Sequence, residues 1–230
     1  MKTYKYETHL HTRESSPCGG STAEDYVEQY KKLGYTGIIV TDHLYYLTGD
    51  FPATENLDWA GRVNLLCEGF ELANKRGQAI GLDVFLGWEG GSGWMHLLTY
   101  GLDKDWLLAH PDLPKWSPVE YCNKVRESGG MIIHAHPFRE GVDLVQLLPF
   151  HVDAIESING GRRDEFNRYA HDYAVSFDFP VTAGTDIHSV KSQRRCGVES
   201  KKRFKSVNDY MGAVKERKLK LFDEIVELPA

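Results

Sequence analysis

The sequence lacks any run of about 18 apolar residues, the length that a bilayer-spanning helix needs. Its first residues, Met-Lys-Thr-Tyr-Lys-Tyr-Glu, offer no apolar stretch after the lysine, so no secretory signal is expected there. Cysteine is scarce: Cys18, Cys67, Cys122 and Cys196 are the four present, and none forms a Cys-x-x-Cys pair. Cys67 shares an apolar helical face with Val63, Leu66 and Phe70, and Cys122 sits between Val119 and Val125. Both read as small buried hydrophobes. A reduced, cytoplasmic protein is the expectation. An excess of positive charge is also missing. With a net charge of −6, the chain has no global basic field to recruit nucleic acid, and the short basic stretch at 201–205 reads as a solvated loop. No repeat, low-complexity tract or linker divides residues 1–230, so one domain is expected. A hydrophobic share of 41% is enough for its core.

What is present is an alternation of strand-like and helix-like segments, the pattern of an α/β fold with parallel strands. Ser21-Thr22-Ala23-Glu24 fits a capping box. Tyr26, Val27, Tyr30 and Leu33 follow at helical spacing, and Gly34 stops the helix. A second helix is predicted from Trp59 to Arg76, with Gly77 at its end. Ser117-Pro118-Val119-Glu120 caps a third, and Phe166, Tyr169, Ala170, Tyr173, Ala174 and Phe177 line one face of a fourth. The strands are short apolar runs, as suits strands buried on both sides, and about seven can be counted. The third and fourth are separated only by Glu89-Gly90-Gly91-Ser92-Gly93, which leaves no room for a crossover helix.

Imidazoles and carboxylates recur where these strands end. His9 and His11 close the first strand, and Asp42 and His43 the second. Glu89 follows the third, His96 opens the fourth, His134 and His136 end the fifth, and Asp186 and His188 follow the seventh. These groups are ligands of borderline divalent metals. Residues two apart on a strand point to the same face, so His9/His11, His134/His136 and Asp186/His188 can each aim as a pair at one place. In a barrel of parallel strands, the strand ends meet at one mouth. A His-rich pocket without metal would leave buried imidazoles short of partners.

His9-x-His11-Thr12, Thr41-Asp42-His43, Gly87-Trp88-Glu89, His136-Pro137 and Gly184-Thr185-Asp186-Ile187-His188-Ser189 occur in one order between residues 9 and 189. In these motifs the chain resembles the PHP (polymerase and histidinol phosphatase) family of metal-dependent hydrolases, and most of all its short, stand-alone histidinol-phosphatase-like members. The resemblance implies a distorted, seven-stranded, TIM-like β/α barrel with two or three divalent ions, zinc, manganese or iron, at the strand C-termini. It assigns His9, His11, Glu89 and Asp186 to a first ion. Glu89 would bridge to a second ion held by His96 and His136, and His43 and His188 would hold a third. Family members with a third metal often carry a further histidine or aspartate in the loop after the first motif. Here the loop offers Cys18, either a thiolate ligand or an ordinary loop cysteine. His134 is expected to support a ligand.

A bridged metal pair acidifies a shared water and neutralises charge on the atoms under attack. That suits phosphate monoesters, whose transition state spreads negative charge over the phosphoryl oxygens. The expected activity is therefore hydrolysis of a small phosphorylated metabolite by a metal-bridged hydroxide. Glu89 and Asp186 would be essential, and Asp42 would orient His43 or pass a proton. Arg139, Arg162 and Arg194 are the candidate phosphate-binding guanidiniums. Glu156 is expected to anchor ligands from behind. The loop at 44–56, with Tyr45, Tyr46 and Phe51, follows a metal motif and is placed to shape a pocket. Trp88 and Trp94 either wall the site or pack beneath a loop. Hydrolysis of phosphodiesters, nucleotides or amides, or a metal-binding module without turnover, are the competing readings. Neither a nucleic-acid nor a membrane partner is expected, and fold analogy cannot name the substrate.

Overall fold

The strands form one mixed sheet in a computed structural model that describes residues 2–49, 51–92, 95–139, 141 and 144–228. They are β1 (Tyr4–Glu7), β2 (Gly37–Val40), β3 (Asp83–Ser92), β4 (Met95–Tyr100), β5 (Met131–Ala135), β6 (Ala154–Asn159), β7 (Val181–Gly184), β8 (Arg194–Ser200) and β9 (Lys220–Ile225). Their order is β7-β6-β5-β4-β3-β2-β1-β8-β9. Pairing is parallel from β1 to β3 and from β5 to β7. As the glycine-rich connection requires, β3 and β4 form an antiparallel hairpin, and β4 then meets β5 antiparallel. Beyond β7, Ile187 bridges in parallel to Leu10 beyond β1. Ile187 N donates to His9 O at 3.2 Å and His11 N to Ile187 O at 3.0 Å. This seam nearly closes the sheet into a barrel.

Among the described residues the sheet has nine strands, where about seven were expected. The two extra strands escape an apolar-run criterion for opposite reasons. β8 opens on Arg194 and Arg195, although Arg195 is fully buried. β9 is an edge strand with no fully buried residue, and edge strands face too much solvent to carry an apolar run. The basic stretch between β8 and the last helix is exposed except at Phe204, whose ring stacks on Tyr6 at 4.3 Å.

Among the described residues there are seven α-helices: α1 (Ala23–Lys32), α2 (Tyr45–Thr48), α3 (Trp59–Ile80), α4 (Lys104–Leu108), α5 (Pro118–Glu127), α6 (Asp164–Ser176) and α7 (Val207–Lys215). None is long and apolar enough to cross a membrane among the described residues. The capping box of α1 is shifted one residue from the expected one and uses Thr22 and Asp25. Ser21 instead accepts from Val190 N. α3 runs a turn past Gly77 to end at Gly81, whose φ of 75° is the left-handed cap that glycine adopts without strain. Ser117 and Glu120 cap α5 reciprocally, as read from the sequence. Cys67 and Cys122 are buried, and burial pushes both thiols up to about 12.

One apolar cluster fills the barrel. Tyr6, Ile39, Leu98, Tyr100, Met131 and Ile133 meet Tyr210, Met211 and Val214 of α7. Because Tyr210 bonds Thr182 near the start of β7, α7 stoppers the end where the parallel strands begin and leaves the other end as the mouth. Two further clusters lie between sheet and helices. One is built on α1 and α3 and the other on α3, α5 and α6.

The packing of α3 against the mouth allows a test. A Cβ on Gly69 would lie 2.0 Å from Thr12 Oγ1 and 2.8 Å from Asp42 Oδ2, both held in a buried network. Gly69→Ala should therefore cost about 1–3 kcal/mol in denaturant unfolding. Gly212→Ala in α7, where a Cβ meets nothing within 4 Å, should be neutral or stabilising. Equal stability of Gly69→Ala and the parent would refute the close packing.

Candidate metal centre

The first motif reaches the mouth through a break in strand parity. Tyr6 packs in the barrel interior, so a regular strand would send His9, three residues on, outward. Instead Glu7 accepts from both Thr8 N and His9 N at 2.9 Å, and the chain turns there. His9 and His11 then both face inward, fully buried, with ring centroids 5.0 Å apart, while Leu10 packs among the outer helices. Glu7 also accepts from Tyr30 OH, Thr185 N and Thr185 Oγ1, which ties the first motif to the last.

At the centre is Glu89, 1% exposed. Its Oε1 lies 2.9 Å from His96 Nδ1, 3.0 Å from His136 Nε2 and 3.5 Å from His9 Nε2. Its Oε2 lies 2.8 Å from His43 Nδ1 and 3.5 Å from His11 Nε2. Asp186 Oδ1 stands 3.3 Å from His11 Nε2 and 3.6 Å from both His9 Nε2 and His188 Nδ1. Four overlapping trios result: His9, His11 and Glu89; His9, His136 and Asp186; His43, Glu89 and His96; His11, His43 and His188. Within each trio the ligand atoms lie within 4.8 Å of one another. All eight histidine and carboxylate ligands expected from the sequence meet at one mouth.

Local backbone strain aims two of them. His136 has φ of 27° and Asp186 of 54°, in the left-handed region that non-glycine residues seldom adopt. Such residues persist where surrounding structure holds them, and they cluster at functional sites. The turn at His136 also separates it from His134. His134 packs beside Tyr173 of α6, on the outer side of the sheet, and neither of its nitrogens has a hydrogen-bond partner. Burial, aided by His136 and His96, pushes its pKa down to about 3, so it is a neutral core residue. The same-face pairing expected for His134 and His136 fails because strand parity stops before His136.

The other expected residues divide between the mouth and the framework. Glu156 accepts from His9 Nδ1 at 2.9 Å, His136 N at 3.0 Å and Asn159 Nδ2 at 2.8 Å, and so orients two ligands from behind. Arg139 reaches His96 Nε2 at 3.1 Å, and Arg162 pairs with Asp186 Oδ2 at 2.9 Å. Arg194 is not at the mouth: Asp164 and Asp223 hold its guanidinium, and it donates to the carbonyl of Arg162. Asp42 turns away from the cluster to accept from Thr12 N, Thr12 Oγ1 and Ser16 Oγ. Burial raises it to about 7 against those bonds. Its place is under the loop that carries Cys18, not beside a reacting atom. Trp88 packs between the sheet and α5, bonded to Tyr121 OH and stacked near Trp106, while Trp94 lies outside the described residues. Tyr45 stacks on His43 at 4.3 Å. Glu7, Thr185 and Asn159 escaped the sequence reading because none of the three carries a ligand-type pattern, although Thr185 stands inside the last motif.

The electrostatics favour a cation. Burial would raise Glu89 and Asp186, yet His96, His43 and His9 hold Glu89 well below the usual carboxylate range, and His9, His11 and His136 do the same for Asp186. Burial opposes a charge on His9, but Glu156, Asp186 and Glu89 raise it well above the normal value. Burial and His43 depress His11. His9 Nε2, both nitrogens of His11 and His136 Nδ1 are buried without a hydrogen-bond partner. Each such orphan costs about 1–3 kcal/mol, and a divalent ion of borderline softness would satisfy several of them together.

Solved structures share this fold. The chain superposes with TM-score 0.66 and 16% identity on a two-domain Bacteroides vulgatus protein containing a predicted PHP-like metal-dependent phosphoesterase, covering 96% of this chain and 65% of that one. The chain thus spans less than two thirds of that protein. PsfC from Pseudomonas syringae matches with TM-score 0.63 and 18% identity over 94% of this chain and 95% of its own. An amidohydrolase from Chromobacterium violaceum, with bound sulfate and no metal, gives TM-score 0.57 and 14% identity over 80% and 87%. No protein-family model matches the chain, and no curated protein does. At these identities the likeness shows the fold.

Glu156 can be tested apart from turnover. Glu156→Gln keeps an acceptor for His9 but removes the charge behind it, so metal affinity measured by chelator competition should fall about 10–100-fold. Unchanged affinity would show that the His9 contact is structural only.

Proposed function

We propose that this chain is a PHP-type metal-dependent phosphoesterase, of the stand-alone histidinol-phosphatase-like kind, that hydrolyses a small phosphorylated metabolite. The observation that carries the reading is the buried Glu89 carboxylate with nitrogens of five histidines within 3.5 Å. A carboxylate has two oxygens and can serve two cations, and no packing need of a barrel explains five imidazoles around one acid. His9, His11, Glu89 and Asp186 would hold one ion, Glu89, His96 and His136 a second, and His43 and His188 a third. Bound zinc, manganese or iron would supply Lewis acidity, acidifying water and neutralising phosphoryl oxygens.

The chain's own residues do the rest. His9 keeps Nε2 free for the mouth because Nδ1 faces Glu156. Arg139 and Arg162 reach the cluster at His96 and Asp186, so a phosphate bound there would find guanidiniums for its remaining oxygens, each matching two at once. Arg162 rests on Asp186 Oδ2 and would release that oxygen as it turned to a substrate anion. Tyr45, stacked on His43, walls one side of the opening. The sulfate held by the Chromobacterium neighbour is a tetrahedral dianion like phosphate. That neighbour's description as an amidohydrolase favours amide hydrolysis as the second reading.

Elemental analysis after chelator-free purification should find at least two divalent ions per chain, and Glu89→Gln should lose one or more of them. A screen of phosphomonoesters, phosphodiesters and amides with manganese or zinc should find monoesters turned over fastest. Glu89→Gln should lower that rate by more than about 100-fold with the fold intact by circular dichroism. A stoichiometry that never exceeds one ion would end the bridged-pair reading, and preferential amide turnover would move the chain to the second.

A further inference from the structure

Arg162 reaches the cluster with its donors only partly used. Nη2 donates to Asp186 Oδ2 at 2.9 Å, while Nε is buried without a hydrogen-bond partner. A buried N–H left over beside a polar site calls for an acceptor. The turn that carries Arg162, between β6 and α6, is firmly held. Gly160 N donates to Gly184 O at 3.0 Å, Gly161 N to Asn159 Oδ1 at 2.9 Å and Arg162 N to Asn159 O at 3.2 Å. Asn167 of α6 returns to Asn159, accepting from its N at 3.0 Å and donating to its O at 3.1 Å. A Cβ on Gly160 would lie 3.1 Å from Thr185 O, so the turn packs directly on the last motif. The carbonyl of Arg162 itself is held by a residue remote in sequence: Arg194 Nη1 donates to it at 3.1 Å.

Arg194 is in turn fixed across three elements. From the start of β8 it donates through Nε and Nη2 to the two oxygens of Asp223 on β9, at 2.9 Å and 2.6 Å, and through Nη2 to Asp164 in the first turn of α6, at 2.7 Å. Asp223 Oδ1 also accepts from Cys196 Sγ at 3.3 Å. An isolated surface ion pair adds little to stability, but a bidentate pair that shares a third partner fixes position. We propose that Arg194 is a positioning residue for the substrate anion: braced by Asp223 and Asp164, it sets the turn from which Arg162 presents its guanidinium to a phosphate. The proposal rests on the phosphoesterase reading above and deepens it. It also gives β8 and β9, which continue the sheet past β1, a part in the chemistry at the mouth. A guanidinium matches two oxygens only while its plane is set, so a shift of the Arg162 backbone would weaken anion binding and leave the metal ligands in place.

Steady-state kinetics with p-nitrophenyl phosphate, and its inhibition by inorganic phosphate, test this on the manganese-loaded full chain. Arg194→Met should raise KM and the inhibition constant of phosphate together, about tenfold or more, with kcat and metal content held. Arg194→Lys keeps the charge without the fork, and Asp223→Asn weakens the brace from β9. Both should fall between Arg194→Met and the parent, and either carries the test should Arg194→Met fail to fold. The effect should vanish once Arg162 is gone. Arg162→Met and the double variant Arg162→Met/Arg194→Met should differ by less than about twofold in KM, because a residue that acts through another adds nothing without it. Arg203→Met removes a bidentate pair of the same kind, on Asp83, and should leave both constants unchanged. Constants equal to the parent's in all three brace variants, or penalties that add in the double variant, would overturn the role of Arg194 while leaving the phosphoesterase reading standing. A parent chain that takes up metal yet neither turns over the ester nor binds phosphate by calorimetry would overturn both.

Discussion

The mouth exists because one buried carboxylate holds the barrel seam. Glu7, fully buried, gathers donors from its own strand exit, from Tyr30 on α1 and from Thr185 after β7. Burial pushes its carboxyl up, and the donors from Thr185, Tyr30 and His9 pull it back. These bonds satisfy an acid that would otherwise be prohibitively costly inside. They also set the first and last motifs side by side, where the Leu10–Ile187 bridge brings Asp186 to His9 and His11. Without that seam the ligands would sit on opposite edges of an open sheet.

Glu89 imposes the second constraint. Five imidazoles near one carboxylate cannot all be protonated at close range, nor can all stay neutral with their buried nitrogens satisfied. The mutual fields pull in opposite directions: the carboxylates are held down, His9 and His43 are pulled up by the carboxylates around them, and burial pushes His11 and His136 down. Divalent ions would resolve it, because lone pairs that repel or starve one another would become ligands to the same charge.

How much of this was legible follows from what makes a signal. The candidate ligands were readable because imidazoles and carboxylates at strand ends are rare for any other reason, and their spacing survives folding. His134 misled because parity transfers a residue to a face only while the strand is regular, and the left-handed turn at His136 ends that regularity. Asp42 misled in another way. Its neighbour His43 reaches the cluster, but adjacent residues point apart, and Asp42 went to Thr12 and Ser16. Arg194 followed the last metal motif in sequence, yet Asp164 and Asp223, distant in sequence, claim it. β8 and β9 were invisible because a buried arginine and an exposed edge both defeat a search for apolar runs. Glu7 was equally hidden, since nothing in a sequence distinguishes an acid with five donors from one in solvent.

Charge balance links the centre to the ligand it would take. The trios draw on only two carboxylates, Glu89 and Asp186, with Glu156 behind His9, and otherwise on imidazoles. Two or three divalent ions on that set would keep a net positive charge, with Arg139 and Arg162 at its rim. Even a thiolate from Cys18 would cancel only part of it. The rest of the molecule is net negative, so the positive charge would be concentrated at the mouth and could steer an anion towards it. An amide brings no charge to offset this field, and a phosphodiester brings one. A phosphomonoester brings close to two, with three oxygens to share among ions and guanidiniums. The proposed monoester is thus the substrate class that would leave the fewest charges unpaired at such a centre.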